Sequence, residues 1–169
     1  LYLLTACTDG IEASSDSNGQ GEGKEIPVSI MPKLVAGDEN EVSQLRVIIF
    51  STRTSNPYGP KVLVSNQLID VNEDYVAITY IGYNDIYVIG NEPVDLSGIN
   101  SPEELKNIQM NTESSLSASK FVFFRQLLNV NVRSKNEIYP EGASAPVSKL
   151  EIKLQRVIAK LSVKFDVST

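Results

Sequence analysis

Residues 148–167, SKLEIKLQRVIAKLSVKFDV, constrain the fold of this chain more than any other stretch. Leu150, Ile152 and Leu154 alternate with Glu151, Lys153 and Gln155, the period of two that belongs to a strand with one dry face. From Val157 the alternation resumes through Ala159, Leu161, Val163, Phe165 and Val167, with Lys160, Ser162, Lys164 and Asp166 turned the other way. The apolar set has moved from even to odd positions, so the phase slips once, near Gln155 and Arg156. A bulge supplies one extra residue and lets a strand bend from one sheet towards another. Two strands separated by a tight corner are the alternative; the bulge is preferred. Val157, Ala159, Leu161, Val163 and Phe165 are expected to form the core strand, with Lys160 and Lys164 on the wetter face.

The rest of the chain is read in the same way. Ile26, Val28 and Ile30 alternate within residues 25–31, a first strand that Pro32 should end sharply. Pro27 confines it to a sheet edge, or to a ladder position where the missing N–H does not matter. It is expected to pair beside the long C-terminal element. Residues 32–40 form a loop. Residues 41–51 (EVSQLRVIIFS) form a strand with Leu45, Val47 and Ile49 on one face, and residues 52–60 form a turn region rich in Pro, Asn and Gly. Further strands are expected at residues 61–69, 75–80, 85–90 and 121–132, with a turn at Gly82-Tyr83-Asn84 and a loop over residues 134–146. Ser101 and Glu104 make a capping box, and Pro102 suits the first helical position, so a short helix over residues 102–110 follows. About eight strands and one helix make a mainly β, mostly antiparallel sandwich.

Composition narrows the chemistry. The 169 residues suffice for one domain with a core. A net charge of −6 speaks against a nucleic-acid partner, which wants a basic stripe. There is no histidine, which removes the commonest general base and metal ligand. One cysteine rules out an internal disulfide and a Cys-rich metal site. The first residues, Leu1 to Cys7 (LYLLTAC), read as the tail of an export signal ending in a lipobox: an aliphatic residue, two small residues, then the lipid-bearing Cys7. Residues 8–24 form a Gly/Ser/Asp-rich tether that cannot bury anything. The expected organisation is a signal remnant and lipobox at 1–7, a tether at 8–24, and a β-sandwich domain at 25–169, expected to be cut short at its C-terminal end because the sequence stops at Thr169 without a turn signal.

These pieces, in this order, resemble the N-terminal half of a fimbrillin, the subunit family of type V pili of Bacteroidales. The motifs are the lipobox with its leash, the strand VSQLRVIIF, the run DIYVIGNEPVDLSGINSPEEL in which Ile89-Gly90-Asn91 precedes a short helix, and QRVIAKL at residues 155–161. Each is weak alone; their order and spacing over nearly the whole chain carry the resemblance. It implies a transthyretin-like sandwich with a second domain following, and a non-enzymatic cell-surface protein exported as an outer-membrane lipoprotein. It also implies proteolytic removal of the first strand, which opens a groove that a neighbouring subunit's strand fills by β-augmentation. The implied partners are other fimbrial subunits by strand exchange, the outer membrane through the lipid anchor, and a ligand on a host or bacterial surface. Stalk subunits of the family are cut at an arginine between the first two strands. Here that place holds Lys33, the processing candidate, so either a Lys-tolerant protease acts or the first strand is kept, as in an anchor or terminal subunit. Arg46 lies mid-strand, and a cut at Arg53 would remove a core strand.

The remaining polar residues offer little chemistry. Glu103-Glu104, Asp38-Glu39 and Glu73-Asp74 are sequence neighbours at element ends, where acids cap helices or solvate turns. Asp85 and Asp95 lack the spacing of a calcium loop. Tyr75, Tyr80, Tyr83 and Tyr87 could stack on a sugar, which makes a glycan-binding surface lipoprotein the alternative function; cross-strand packing is the plainer reading. Arg156 either pairs with a buried carboxylate or points to solvent. No catalytic group, metal or cofactor is indicated.

Overall fold

A computed structural model describes residues 23–34, 42–71, 75–108 and 122–156. The strands are β1 (Glu25–Lys33), β2 (Gln44–Ser51), β3 (Val62–Asp70), β4 (Tyr75–Tyr80), β5 (Gly82–Gly90), β6 (Phe123–Ser134), β7 (Glu137–Tyr139), β8 (Lys149–Lys153) and β9 (Gln155–Arg156). The helix α1 spans Pro102–Lys106, between β5 and β6. They form a three-stranded sheet in the order β4-β1-β8 and a six-stranded sheet in the order β3-β2-β5-β6-β7, with β9 also paired to β6. All pairs are antiparallel except β1 with β8. Over the described residues the chain is mainly β, sandwich-like, with one short helix.

The core lies between the sheets. Val28, Ile30, Ala77, Leu150 and Ile152 from the small sheet pack on Leu45, Val47, Ile49, Ile86 and Val88 from the large one. The apolar runs of β2 and β5 are too dense for one dry face, and both faces are buried. Ile48, Phe50, Tyr87 and Ile89 point outward into a second cluster with Leu96, covered by Ile99 and by Leu105 of α1. In α1, Ser101 Oγ accepts from the Glu104 N–H at 3.1 Å. The return arm of the expected capping box goes one residue further back: Glu104 Oε2 accepts from the Asn100 N–H at 2.8 Å. The helix stops at Lys106, short of the expected Met110, and residues 109–121 lie outside the described residues.

Four expectations need correction. The phase slip near Gln155 is a change of sheet: β8 belongs to the small sheet and β9 to the large one, with only Leu154 between them. Two strands at a tight corner, not a bulged single strand, account for it. Gly82-Tyr83-Asn84 is the start of β5 rather than a turn, because β4 and β5 sit in different sheets and the chain crosses at Ile81. Gly82 has φ +130, and a Cβ there would stand 2.5 Å from the Thr54 carbonyl oxygen, so the crossing requires glycine. The loop over 134–146 contains β7, whose Ile138 is fully buried. Finally, β1 runs through Pro32 to Lys33 and is the middle strand of its sheet, not an edge. The expected core strand of Val157, Ala159, Leu161, Val163 and Phe165 lies outside the described residues, as does Cys7.

Candidate functional site: strand β1 and the groove it fills

How can a strand with two prolines sit in the middle of a sheet? The Ile81 N–H donates to the Lys24 oxygen at 3.0 Å. Bonded and non-bonded pairs alternate along an antiparallel ladder, so Ile26, Val28 and Ile30 carry the bonds to Thr79, Ala77 and Tyr75 of β4. The odd residues face β8, as the 2.9 Å bond from the Leu154 N–H to the Lys33 oxygen records. Pro27 therefore faces β8's side, but the β8 ladder begins only at Ser29. Pro32 faces β4's side, but that ladder ends at Ile30. Neither proline removes a bond that a neighbour could have made. The same arrangement leaves β1 paired on both sides only at Ser29 and Ile30.

The side chains make β1 a plug. Val28 and Ile30 are fully buried and Ile26 is partly buried against the same core. Pro27 is exposed and Ser29 half-buried on the other face. Among the described residues β4 and β8 are joined only through β1, which lies between them over the core.

Both ends of the plug are tied by exposed polar contacts. At the start, the Tyr80 hydroxyl donates to Glu25 Oε1 at 2.9 Å, which raises the phenol's pKa because the proton is held by a carboxylate. Arg53 stacks over the Tyr80 ring at 4.2 Å from its centroid. At the end, Lys33 Nζ lies 2.8 Å from Glu151 Oε2 of β8. The hydrogen bond from Lys33 and its charge, with lesser help from Lys153 and Lys149, hold the Glu151 carboxyl below the usual range. Lys33 is thus the exposed last residue of β1, with its carbonyl bonded to Leu154 just past β8, and not a loop residue as expected.

The tyrosines do not form a row. Tyr87 is buried on the outer face of the large sheet, edge-on to Phe50 at 5.9 Å. Tyr75 donates to Gln67 at 2.8 Å, beside β3, while Tyr80 is engaged with Glu25. Asp85 and Asp95 are also apart: Asp95 accepts from the Ser97 N–H in a tight turn, and Asp85 binds Lys61. Glu103 and Glu104 lie in the first turn of α1, while Asp38-Glu39 and Glu73-Asp74 fall outside the described residues. Arg156 is exposed, with its guanidinium 5.8 Å from the Phe123 ring centroid. No group of three or more metal-ligating side chains occurs among the described residues. None of their helices is long and apolar enough to cross a membrane.

Two polar clusters escaped the sequence reading. Arg46, mid-strand in β2, is buried and makes a two-pronged pair with Glu92, Nε to Oε2 at 2.8 Å and Nη2 to Oε1 at 2.7 Å. A charge inside the apolar run QLRVIIF was the available signal, since such a residue must find a partner. The second cluster joins Lys61, Asp85 and Asn129, three positions that no local pattern links.

No protein-family model matches this chain, and no curated protein does. Among solved structures, the chain is similar to the tip fimbrial protein Mfa3 from Porphyromonas gingivalis with C-terminal truncation, at 16% identity and a TM-score of 0.45 over 79% of this chain and 48% of that one. It is also similar to a candidate cell adhesion protein from Parabacteroides distasonis, at 15% identity and a TM-score of 0.41 over 80% of this chain and 46% of that one. The chain spans about half the length of these solved chains.

Proposed function

We propose that this chain is the N-terminal part of a cell-surface fimbrial subunit or anchor that acts by assembly and adhesion rather than by catalysis. The observation that carries the reading is β1: a strand with two prolines in it, paired on both sides only at Ser29 and Ile30, whose alternate side chains fill the core. Its removal leaves a groove that a strand with apolar residues at the same spacing can refill, which is β-augmentation between subunits. Lys33 is the processing candidate. Its side chain is exposed, but its carbonyl is bonded to Leu154, so a protease must first lift the end of β1 from β8. Cys7 carries the lipid that holds the protein to the outer membrane, residues 8–24 are the leash, and residues 25–169 belong to the sandwich domain. The surface ligand is a host or bacterial one.

The test is limited digestion of the full-length protein with a Lys-specific protease, read by mass spectrometry and a sizing column. Cleavage after Lys33 with release of the β1 peptide and growth of polymers supports a stalk subunit. Cleavage without polymers supports an anchor or terminal subunit. A domain that stays intact at Lys33 while exposed lysines elsewhere are cut overturns strand exchange for this chain.

A further inference from the structure

We propose that the chain cross-links itself, through an isopeptide bond between the Lys61 side-chain nitrogen and the side-chain carbonyl carbon of Asn129, with Asp85 as the proton carrier. Lys61 lies immediately ahead of β3, Asp85 in β5 and Asn129 in β6. The sheet order β3-β2-β5-β6 makes Lys61 reach over β2 to meet the other two. Its Nζ stands 2.7 Å from Asp85 Oδ1 and 2.9 Å from Asn129 Oδ1. Asp85 Oδ1 also accepts the Asn129 backbone N–H at 2.8 Å. The lysine nitrogen therefore touches a carboxylate and the oxygen of a primary amide at once, and the carboxylate is also tied to the backbone of the residue that carries the amide.

The backbone is bent to bring them together. The β5–β6 register shifts between Asn84 and Ile86, at Asp85, and Asn129 has φ 50, the left-handed region. Strain of this kind persists where the surroundings over-determine it, and it clusters at functional sites. The site is also shielded: the Lys61 side chain is 16% exposed and that of Asp85 8%. A buried ion pair is weak evidence for a stabilising role, since desolvation offsets the attraction. A lysine held across a sheet with its nitrogen 2.9 Å from an amide oxygen is one bond away from the carbon it would attack.

The reaction balances without any co-reactant. The Asp85 carboxylate takes one proton from the Lys61 ammonium, freeing the nitrogen lone pair, which attacks Cγ of Asn129. The N–C bond forms, and Asp85 passes its proton to Nδ2, the nitrogen that is to leave. Collapse breaks the bond from Cγ to Nδ2, and the nitrogen leaves as ammonia; the second proton lost by the lysine nitrogen departs with it as ammonium. The new amide keeps one N–H, which can donate to Asp85 in place of the ammonium. The product ties the head of β3 to β6 across β2 and β5, a brace against pulling along the chain.

Intact-mass and peptide mass spectrometry of the purified full chain test this. The expected chain is lighter by one ammonia than its sequence, relative to a Lys61→Arg variant corrected for the substitution, which keeps the cation beside Asp85 but has no amine. A tryptic digest should then fail to cut after Lys61 and should yield residues 54–106 joined to residues 126–133. Asn129→Ala and Asp85→Asn should each restore the full mass and the free Lys61. Full mass with cutting after Lys61 overturns the proposal and leaves the cluster an ion pair. A missing ammonia without the joined peptide also overturns it, since succinimide formation at any asparagine loses the same group. Joined peptides that persist in Asp85→Asn overturn the role given to Asp85.

Discussion

Arg46 shows what a single residue costs and what it secures. Its side chain is 8% exposed and its partner Glu92 20% exposed, and Asn66 Oδ1 and Asp95 stand nearby at 3.3 and 3.7 Å. The bonds that Arg46 donates to Glu92 raise the guanidinium's pKa against the opposing effect of burial. Removing the carboxylate leaves a buried charge without its main partner. Glu92→Ala is expected to lower stability by about 3–5 kcal/mol, read from denaturant unfolding; an Arg46→Met, Glu92→Leu double variant should recover most of it. At the exposed end of β1 the effect is electrostatic and shows in pH. The Glu151 carboxyl is held low in the folded protein, so its contribution is present above the ordinary carboxylate range and lost as pH falls through the lowered folded value. An NMR titration of Glu151 should give a midpoint below that of a free glutamate, and Lys33→Met should move it back up.

At the scale of elements, β1 is the joint of the small sheet. Ile30 is fully buried and pairs with Tyr75 on one side and Leu150 on the other. Ile30→Ala is expected to cost about 2–5 kcal/mol, measured by thermal or denaturant unfolding. Exposed Pro27 packs on nothing in the core and lies outside the β8 ladder, so Pro27→Ala should change stability little. Amide exchange should separate the two sheets: β2 and β5, bonded on both sides along most of their length, should exchange slowly. The β1 and β8 amides should exchange faster, because the small sheet opens by loss of one strand. Equal protection of β1 and β5 would contradict the view of β1 as a weakly held plug.

Across the whole molecule, the ends of the described chain meet. Ser29 pairs with Lys149 and Lys33 with Lys153, so β1 finds β8 only after most of the chain has been placed. Loop closure over such a span must be met before the contact rewards it, so folding is expected to be slow, on the order of milliseconds to seconds. Stopped-flow refolding checks this. A chain ending at residue 148 lacks β8 and leaves Val28 and Ile30 with an open flank. It should lose cooperative unfolding or gain self-association, visible on a sizing column.

Read without its fold, the chain already carried most of the strands, the capped start of the helix and the alternation of Ile26, Val28 and Ile30 towards one apolar face. These are local facts, written in the period of side chains along a strand and in turn and cap chemistry. The phase slip at Gln155 was equally visible, but periodicity alone cannot tell a bulge from a corner, and only pairing with β1 and β6 showed a change of sheet. The sequence also could not place β1 in the middle of its sheet. Whether a proline is tolerated depends on which neighbour its missing N–H faces, and that is a property of two ladders. The short β7 was hidden among turn residues, and Ile138 became core only through pairing with β6. Lys61, Asp85 and Asn129 are far apart in the chain; register, one bulge and a left-handed asparagine bring them within hydrogen-bond reach. Local interactions wrote the elements, and long-range pairing, which no window of sequence contains, decided their neighbours.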